Sequence, residues 1–307
     1  MRVAGIRATG GAVETIDVPD PRPLGADEVL IEVRAAGVGN WDDIVRHGGW
    51  DLGVAPPMAL GVEAAGVAAD AGAEAGDLAA GTDVLTHPLP LRDQGAWAPW
   101  LIAPAALVAR KPEQMSWEEA AAFPVPALTA VQVIDEALAV RPGETLLVNG
   151  AGGVTGQLLV ALGAIRGARV IATASSSGHD RLRRLGADRV LDYHDAGWVE
   201  EARGIAGAGV DAVANAARDQ AATAIDAVRD GGRLATITSD PPAEQRSIQI
   251  ASVYVRPDGA QLQAALDLYG EGRLTIEVRP AYPIADAAAA LDAATRGSGG
   301  AAIVLGL

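Results

Sequence analysis

Along the first third of the chain, apolar residues recur in short segments broken by Gly, Pro and Asp, and Val29, Ile31 and Val33 share one face opposite Glu32 and Arg34. That period of two belongs to a half-buried strand, and residues 1–115 read as mostly β. The rhythm changes at Ser116, where Ser116 and Glu119 are spaced as a capping box ahead of an apolar stretch from Ala120 to Val140, read as one long helix. A domain boundary is placed just before it. Beyond Pro142, strands at 145–148, 169–173, 189–191 and 210–214 alternate with helices starting near Val154 and His179, the order of βαβ units on a parallel sheet. A helix over about 259–269, a strand near Ile276, a helix over about 285–295 and a strand at 301–305 follow.

The 307 residues are 50% hydrophobic and 21% charged, and no apolar run approaches the roughly 20 residues that cross a bilayer. The first residues lack the basic, apolar and small-residue succession of a secretory signal, so a soluble cytoplasmic protein is expected. The absence of cysteine excludes disulfides, thiol nucleophiles, iron–sulfur clusters and thiolate-bound zinc, which leaves redox chemistry to a diffusible cofactor. A net charge of −15 repels phosphate backbones and anionic lipid, so neither nucleic acid nor membrane is an expected partner.

Asn149-Gly150-Ala151-Gly152-Gly153-Val154-Thr155-Gly156 follows an apolar strand and opens an apolar helix, with Gly150, Gly153 and Gly156 spaced three apart. In that context one glycine permits the turn, a second lets backbone amides approach a pyrophosphate, and a third lets helix and strand pack closely. Gly150, Gly152, Gly153 and Val154 are therefore candidate dinucleotide-binding residues. The second strand ends in Thr173-Ala174-Ser175-Ser176-Ser177, without the acid that receives ribose hydroxyls in many NAD sites. With Ser175, Ser176, His179 and Arg181 nearby, a 2′-phosphate is accommodated and NADP(H) is the favoured cofactor; the alternative is that the serines cap the next helix.

Several segments recur together in order: Gly37-Val38-Gly39-Asn40-Trp41-Asp42, Gly61-Val62-Glu63-Ala64-Ala65-Gly66-Val67, Gly95-Ala96-Trp97-Ala98, the glycine turn, Leu185-Gly186-Ala187-Asp188 and Gly231-Gly232-Arg233-Leu234. In order and spacing they resemble the medium-chain dehydrogenase/reductase superfamily, in particular its zinc-free quinone oxidoreductase-like branch, over nearly the whole chain. The resemblance implies an α/β protein: a GroES-like, mostly-β catalytic domain over 1–115 to which 256–307 returns, and a Rossmann domain with a doubly wound parallel sheet over 116–255. Zinc-dependent members resemble Gly-His-Glu where this chain has Gly61-Val62-Glu63 and carry a cysteine where Gly39 stands. A metal-free protein is expected, with Glu63 satisfied inside its domain.

A hydride from the nicotinamide then needs an acceptor that is already electron-poor, which points to quinones and α,β-unsaturated carbonyls. The family's common tyrosines are replaced by Ile44 and Trp50, so Trp50 is the preferred pocket residue among Trp41, Trp50, Trp97 and Trp100, which are otherwise read as core, and Asn40, Asp42, Asp43 or His47 offers polar contacts. Asp42 and Arg46, four apart, are read as a helical pair, His47 as solvent-facing, and His87 as structural or exposed. By resemblance Thr129 lies at the nicotinamide end, Tyr193 near the adenosine phosphate, and Thr238, Val253 and Val255 against the ring; Tyr254 is either a proton donor or a packed strand residue. Two other functions stay open: an NADPH-dependent carbonyl or alcohol oxidoreductase of a specialised pathway, and a non-catalytic NADPH-binding sensor. Ser247 to Val255 contains an apolar edge strand, from which a homodimer is expected.

Overall fold

The protein is described from a computed structural model that covers residues 1–297 and 299–307. It divides into two units, one formed by Met1–Val125, Arg256–Gly270 and Ile276–Leu307, the other by Pro126–Val255 with Glu271–Thr275.

In the second unit the alternation beyond Pro142 produces a six-stranded parallel sheet in the spatial order Arg189–Asp192, Arg169–Ala174, Thr145–Asn149, Val210–Asn215, Val228–Thr236, Gln249–Ser252. The strand order reverses between Thr145–Asn149 and Val210–Asn215. Leu146, Leu147, Val148, Val170, Ile171, Val213 and Leu234 are wholly buried, because a parallel strand covered on both faces needs a continuous apolar run rather than alternation. The helix Val154–Ile165 packs on Thr145–Asn149 and Arg169–Ala174 with Leu158, Leu159 and Leu162 inside.

The first unit holds a seven-stranded sheet centred on the long strand Glu28–Val38, which pairs antiparallel with Ala64–Ala71, Trp100–Pro104 and Ile303–Gly306. Val29, Ile31 and Val33 are buried and Arg34 exposed, as the alternation requires. A three-stranded sheet of Glu14–Asp17, Arg2–Ile6 and Met58–Ala59 completes it.

Three expectations need correction. The stretch 120–140 is not one helix: Trp117–Ala122 ends at Phe123, a new helix Pro124–Val131 starts on a proline, and Gln132–Ala137 widens to a π-helical turn. Proline lacks the amide that would continue the first segment but suits a first helical turn. The division between units accordingly falls at Val125, since Trp117–Ala122 packs on Glu28–Val38 and Ala64–Ala71 of the first unit. No strand forms at Ile276; the chain there makes one isolated bridge, Val278 to Ala302, before a short strand Tyr282–Pro283. The helix Trp198–Ala206 was not legible, although its Trp198 and Ala202 plug one face of the parallel sheet.

The capping box forms as spaced, with Glu119 N donating to Ser116 Oγ (3.1 Å) and Ser116 N to Glu119 Oε2 (2.9 Å). Ser116→Ala is expected to cost about 1 kcal/mol, read as a lower urea midpoint at unchanged slope; an unmoved midpoint would remove the box from the stabilising contacts.

Candidate functional site

The glycine turn is built by close approach. Gly150 sits at φ +78°, and a Cβ on it would lie 2.8 Å from the backbone of Ala216 and Ala217; a Cβ on Gly156 would collide with the Gly150 carbonyl. Gly152 and Gly153 are different, since a side chain there would meet nothing nearer than 3.7 Å. Gly153 caps the helix Val154–Ile165 in extended conformation and has no side chain to cap its first amides, while Gln157 Nε2 donates to the Gly153 carbonyl at 3.2 Å. A turn open on one side, backed by the positive end of a 12-residue helix, fits a pyrophosphate.

At the end of the neighbouring strand Ala174 is followed by Ser175, half-buried, and exposed Ser176. Neither helix cap there uses a serine hydroxyl: Ser175 Oγ pairs with Ser177 Oγ at 3.1 Å, and the helix His179–Arg184 is capped by Gly178 without a side-chain bond. His179 Nε2 lies 3.3 Å from the Ala174 carbonyl, and Arg181 Nη2 donates to the Gly152 carbonyl at 3.4 Å, which brings the guanidinium to the glycine turn. The nearest strand-end acid is Asp192, in register with Ala174; its carboxyl is held below its ordinary pKa by the backbone and ring of His194. Tyr193, half exposed, stacks on His194 with centroids 4.1 Å apart.

The residues expected at the ring end occupy three elements of the second unit. Thr129 is buried in the helix Pro124–Val131. Val253 extends the outer strand by donating its N–H to the Thr236 carbonyl (2.9 Å), and Val255 is half-buried. Tyr254 lies beyond the strand Gln249–Ser252 and is 70% exposed, so it is not a packed strand residue. Thr238 belongs to a polar cluster that sequence reasoning missed, comprising Asn149, Thr173, Asn215, Thr236 and Asp240. The signal available was a polar residue at or next to the C-terminal end of each of four strands.

In the first unit Asn40 opens the helix Asn40–Arg46 and is exposed, and half-buried Trp50 has its ring 6.2 Å from that of His87. The expected Asp42–Arg46 pair does not form. Arg46 instead bonds Asp43 (2.8 Å) and the Gly11 carbonyl (3.0 Å), while Asp42 turns inward and is wholly buried. Asp42, Glu63 and His87 surround the turn Gly61–Glu63. Burial pushes Asp42 up to about 7 against the pull of the Gly39 and Gly61 amides, and raises Glu63 well above its ordinary range against the pull of the Val125 amide, with Asp42 adding to the rise. Glu63 Oε2 takes the Val125 N–H at 2.8 Å, so this acid is satisfied inside its unit. His87, 1% exposed, donates Nδ1–H to the Val62 carbonyl (2.7 Å), and burial lowers its pKa to about 4, so it is neutral with Nε2 as an acceptor. Asp42 Oδ1, His87 Nε2 and Trp41 Nε1 have no protein partner. Trp97 is core, its indole N–H on the Gly37 carbonyl at 3.0 Å. A groove of about 370 Å³ lined by Val13, Asp43, Arg46, Leu291, Asp292 and Thr295 includes Asp43 but neither Asn40 nor Trp50 and none of the expected cofactor residues.

Two family profiles match in the order the fold displays: one described as alcohol dehydrogenase GroES-like domain over residues 25–113, and one described as zinc-binding dehydrogenase over residues 185–305. The chain belongs to the medium-chain dehydrogenase/reductase superfamily. Among the described residues no group of three or more His, Cys, Asp or Glu is placed to hold a metal, and this chain has Gly39 and Val62 where the resemblance puts a cysteine and a histidine in zinc-dependent members. A segment of this dehydrogenase/reductase chain is 37% identical over 238 residues to pikromycin polyketide synthase component PikAII of Streptomyces venezuelae, which is 75% of this chain and 6% of that synthase. Among solved structures, an NAD-dependent alcohol dehydrogenase superposes with TM-score 0.89 at 29% identity, covering 100% of both chains. Mycobacterial Rv1454c complexed with NADPH superposes with TM-score 0.84 at 26% identity over 100% of this chain and 99% of that one. No helix among the described residues is long and apolar enough to cross a membrane.

Asp42 provides a test of the buried acids. Its pKa is raised on folding, so its contribution is fully present below about pH 4, where the unfolded carboxyl is also protonated, and is lost as pH rises through about 7. The stability of Asp42→Asn relative to wild type should therefore grow between pH 4 and 7, by up to about 1.4 kcal/mol per unit, and level off above. Denaturant curves at pH 5, 6, 7 and 8 read this; a difference constant with pH would mean that Asp42 stays ionised.

Proposed function

We propose that the protein is a zinc-independent oxidoreductase that uses NADPH to reduce a quinone or α,β-unsaturated carbonyl by hydride transfer. The observation that carries the cofactor is the end of the strand Arg169–Ala174. No carboxylate follows it, serine hydroxyls uncommitted to helix caps do, and Arg181 reaches back to the glycine turn. Relatives speak for both nicotinamides, since one solved structure is named NAD-dependent and another contains NADPH. The strand end favours NADPH.

In this reading the amides at the start of the helix Val154–Ile165 receive the pyrophosphate, with Gly150, Gly152 and Gly153 keeping side chains out of its way. Ser175, Ser176, His179 and Arg181 take the 2′-phosphate, Tyr193 flanks the adenosine side, and Thr129, Thr238, Val253 and Val255 bound the ring. Bound NADPH supplies the hydride. Trp50 offers a flat apolar wall to a planar acceptor, and the Asn40 amide a donor for the oxygen on which negative charge grows. His87 is neutral and can only accept at Nε2, so it is not the acid; Tyr254, open to solvent, or water delivers the proton. An electron-poor acceptor needs no stronger electrophile, which agrees with Gly39 and Val62 standing where metal ligands would be.

The test is anaerobic NADPH oxidation by chelator-treated protein, with NADH in parallel, against quinones, enones, aldehydes and ketones. Turnover of quinones or enones selective for NADPH is expected. Turnover of ketones alone would replace the reading with a carbonyl or alcohol oxidoreductase, and NADPH binding without turnover of any acceptor would replace it with a sensor. Arg181→Ala should raise KM for NADPH about tenfold or more, as loss of a charge-assisted bond to phosphate implies, and leave NADH unchanged; equal losses for both would remove Arg181 from the 2′-phosphate. We further propose a homodimer joined at the outer strand Gln249–Ser252, which is an edge of the six-stranded sheet. Light scattering at micromolar concentration should give twice the chain mass, and a single-chain mass would overturn it.

A further inference from the structure

The polar cluster at the C-terminal edge of the parallel sheet is a hydrogen-bond chain with a fixed direction. At one end stands the Gly150 backbone N–H, which can only donate, 3.1 Å from Thr173 Oγ1. At the other end stands the Asp240 carboxylate, which can only accept. The links between follow from these ends: Thr173 Oγ1 donates to Asn149 Oδ1 (2.6 Å), and Asn149 Nδ2 to Asn215 Oδ1 (2.9 Å). Asn215 Nδ2 then donates to Thr236 and Thr238 Oγ1 (3.1 Å each), and both hydroxyls donate to Asp240 Oδ1 (2.8 and 2.5 Å). The Asn215 amide cannot flip without cost, because its Nδ2 also faces the Ala217 carbonyl at 3.1 Å and its Oδ1 the Ala217 N–H at 3.4 Å.

Two further observations mark Asp240 as the anchor. Ser239, between Thr238 and Asp240, has φ +59°, a left-handed backbone that a residue other than glycine adopts only under constraint, and this turn is what folds the Asp240 carboxylate back onto both hydroxyls. The chain also crosses the place where the strand order reverses, since Asn149 and Asn215 are register partners on the two strands flanking it. Ligands of open α/β sheets bind at that place. Asn149, Thr173, Asn215 and Thr236 are at most 3% exposed, so their polar groups have this chain in place of water.

We propose that Asp240 is a positioning residue for the dinucleotide. By accepting at the end of the chain it holds every link in one orientation, and so fixes the Gly150 end of the phosphate turn and the Thr238 hydroxyl together. It touches neither the cofactor nor the substrate. The inference rests on the nucleotide-binding reading above and adds to it the element that joins the phosphate end to the ring end. Loss of Asp240 therefore weakens ligands that span both ends and leaves alone a ligand that occupies the adenosine end.

The experiment compares NADPH, by fluorescence titration, with adenosine 2′-monophosphate, by calorimetry, on wild type, Asp240→Ala and Asp240→Asn. Asp240→Ala should raise the Kd for NADPH at least tenfold and that for adenosine 2′-monophosphate less than twofold. Asp240→Asn, whose Oδ1 still accepts from both hydroxyls, should recover most of the loss. Should Asp240→Ala fail to fold, amide exchange at Gly150 in ¹⁵N-labelled Asp240→Ser, whose short side chain cannot accept from both hydroxyls, gives a second reading: several-fold faster exchange is expected at Gly150 with Val148 unchanged, and unchanged exchange at Gly150 overturns the proposal. Equal weakening of both ligands, or no weakening of NADPH, overturns the proposal while leaving the nucleotide reading intact. Failure of the wild type to bind either ligand overturns the nucleotide reading and the proposal with it.

Discussion

The helix Val154–Ile165 and the end of the strand Thr145–Asn149 approach so closely that a methyl group on Gly156 would strike the Gly150 carbonyl. That contact sets the helix axis against the strand, and with it the direction in which the first helical amides point. The polar residues at the strand ends inherit their positions from it. Asn149 faces Asn215 because the strands are in register there, and Thr173 meets both Asn149 and the Gly150 amide because its own strand is the next one over. An open helix N-terminus and a buried polar network are thus two results of one steric constraint.

The part of this arrangement legible in the sequence is the part that depends on local chemistry. The glycine turn has a fixed spacing between an apolar strand and an apolar helix, and Ser116 with Glu119 declares a helix start wherever it occurs. What was not legible depends on tertiary pairing. Asp42 and Arg46 have the spacing of a helical ion pair, yet the Gly39 amide takes the acid inward and Asp43 receives the arginine. The Asn149–Asn215 bond joins residues 66 apart and is specified only by sheet register. The helix Trp198–Ala206 was missed although Trp198, Ala202, Ile205 and Ala206 follow helical spacing, because its 9 residues are a short window in an alanine- and glycine-rich stretch.

The first unit gives Glu63 a structural partner. Glu63 keeps its place after Gly61-Val62, and its carboxyl holds the Val125 amide at the start of the helix Pro124–Val131. Asp42 and Glu63 are both buried, burial raises both and Asp42 adds to the rise at Glu63, so the site favours carrying protons over carrying charge. His87, neutral beside them, adds no positive charge to offset either acid.

The strand Ile303–Gly306 pairs antiparallel with Glu28–Val38, register Ile303 to Val38, although more than 260 residues separate them in sequence. The central sheet of the first unit is therefore incomplete until residues 303–306 have been synthesised, and its long strand waits until then with one flank unpaired. The parallel sheet has no such wait, since all six of its strands lie between Thr145 and Ser252. Synthesis from the N-terminus thus completes the six-stranded parallel sheet before the sheet whose long strand was made earlier can close.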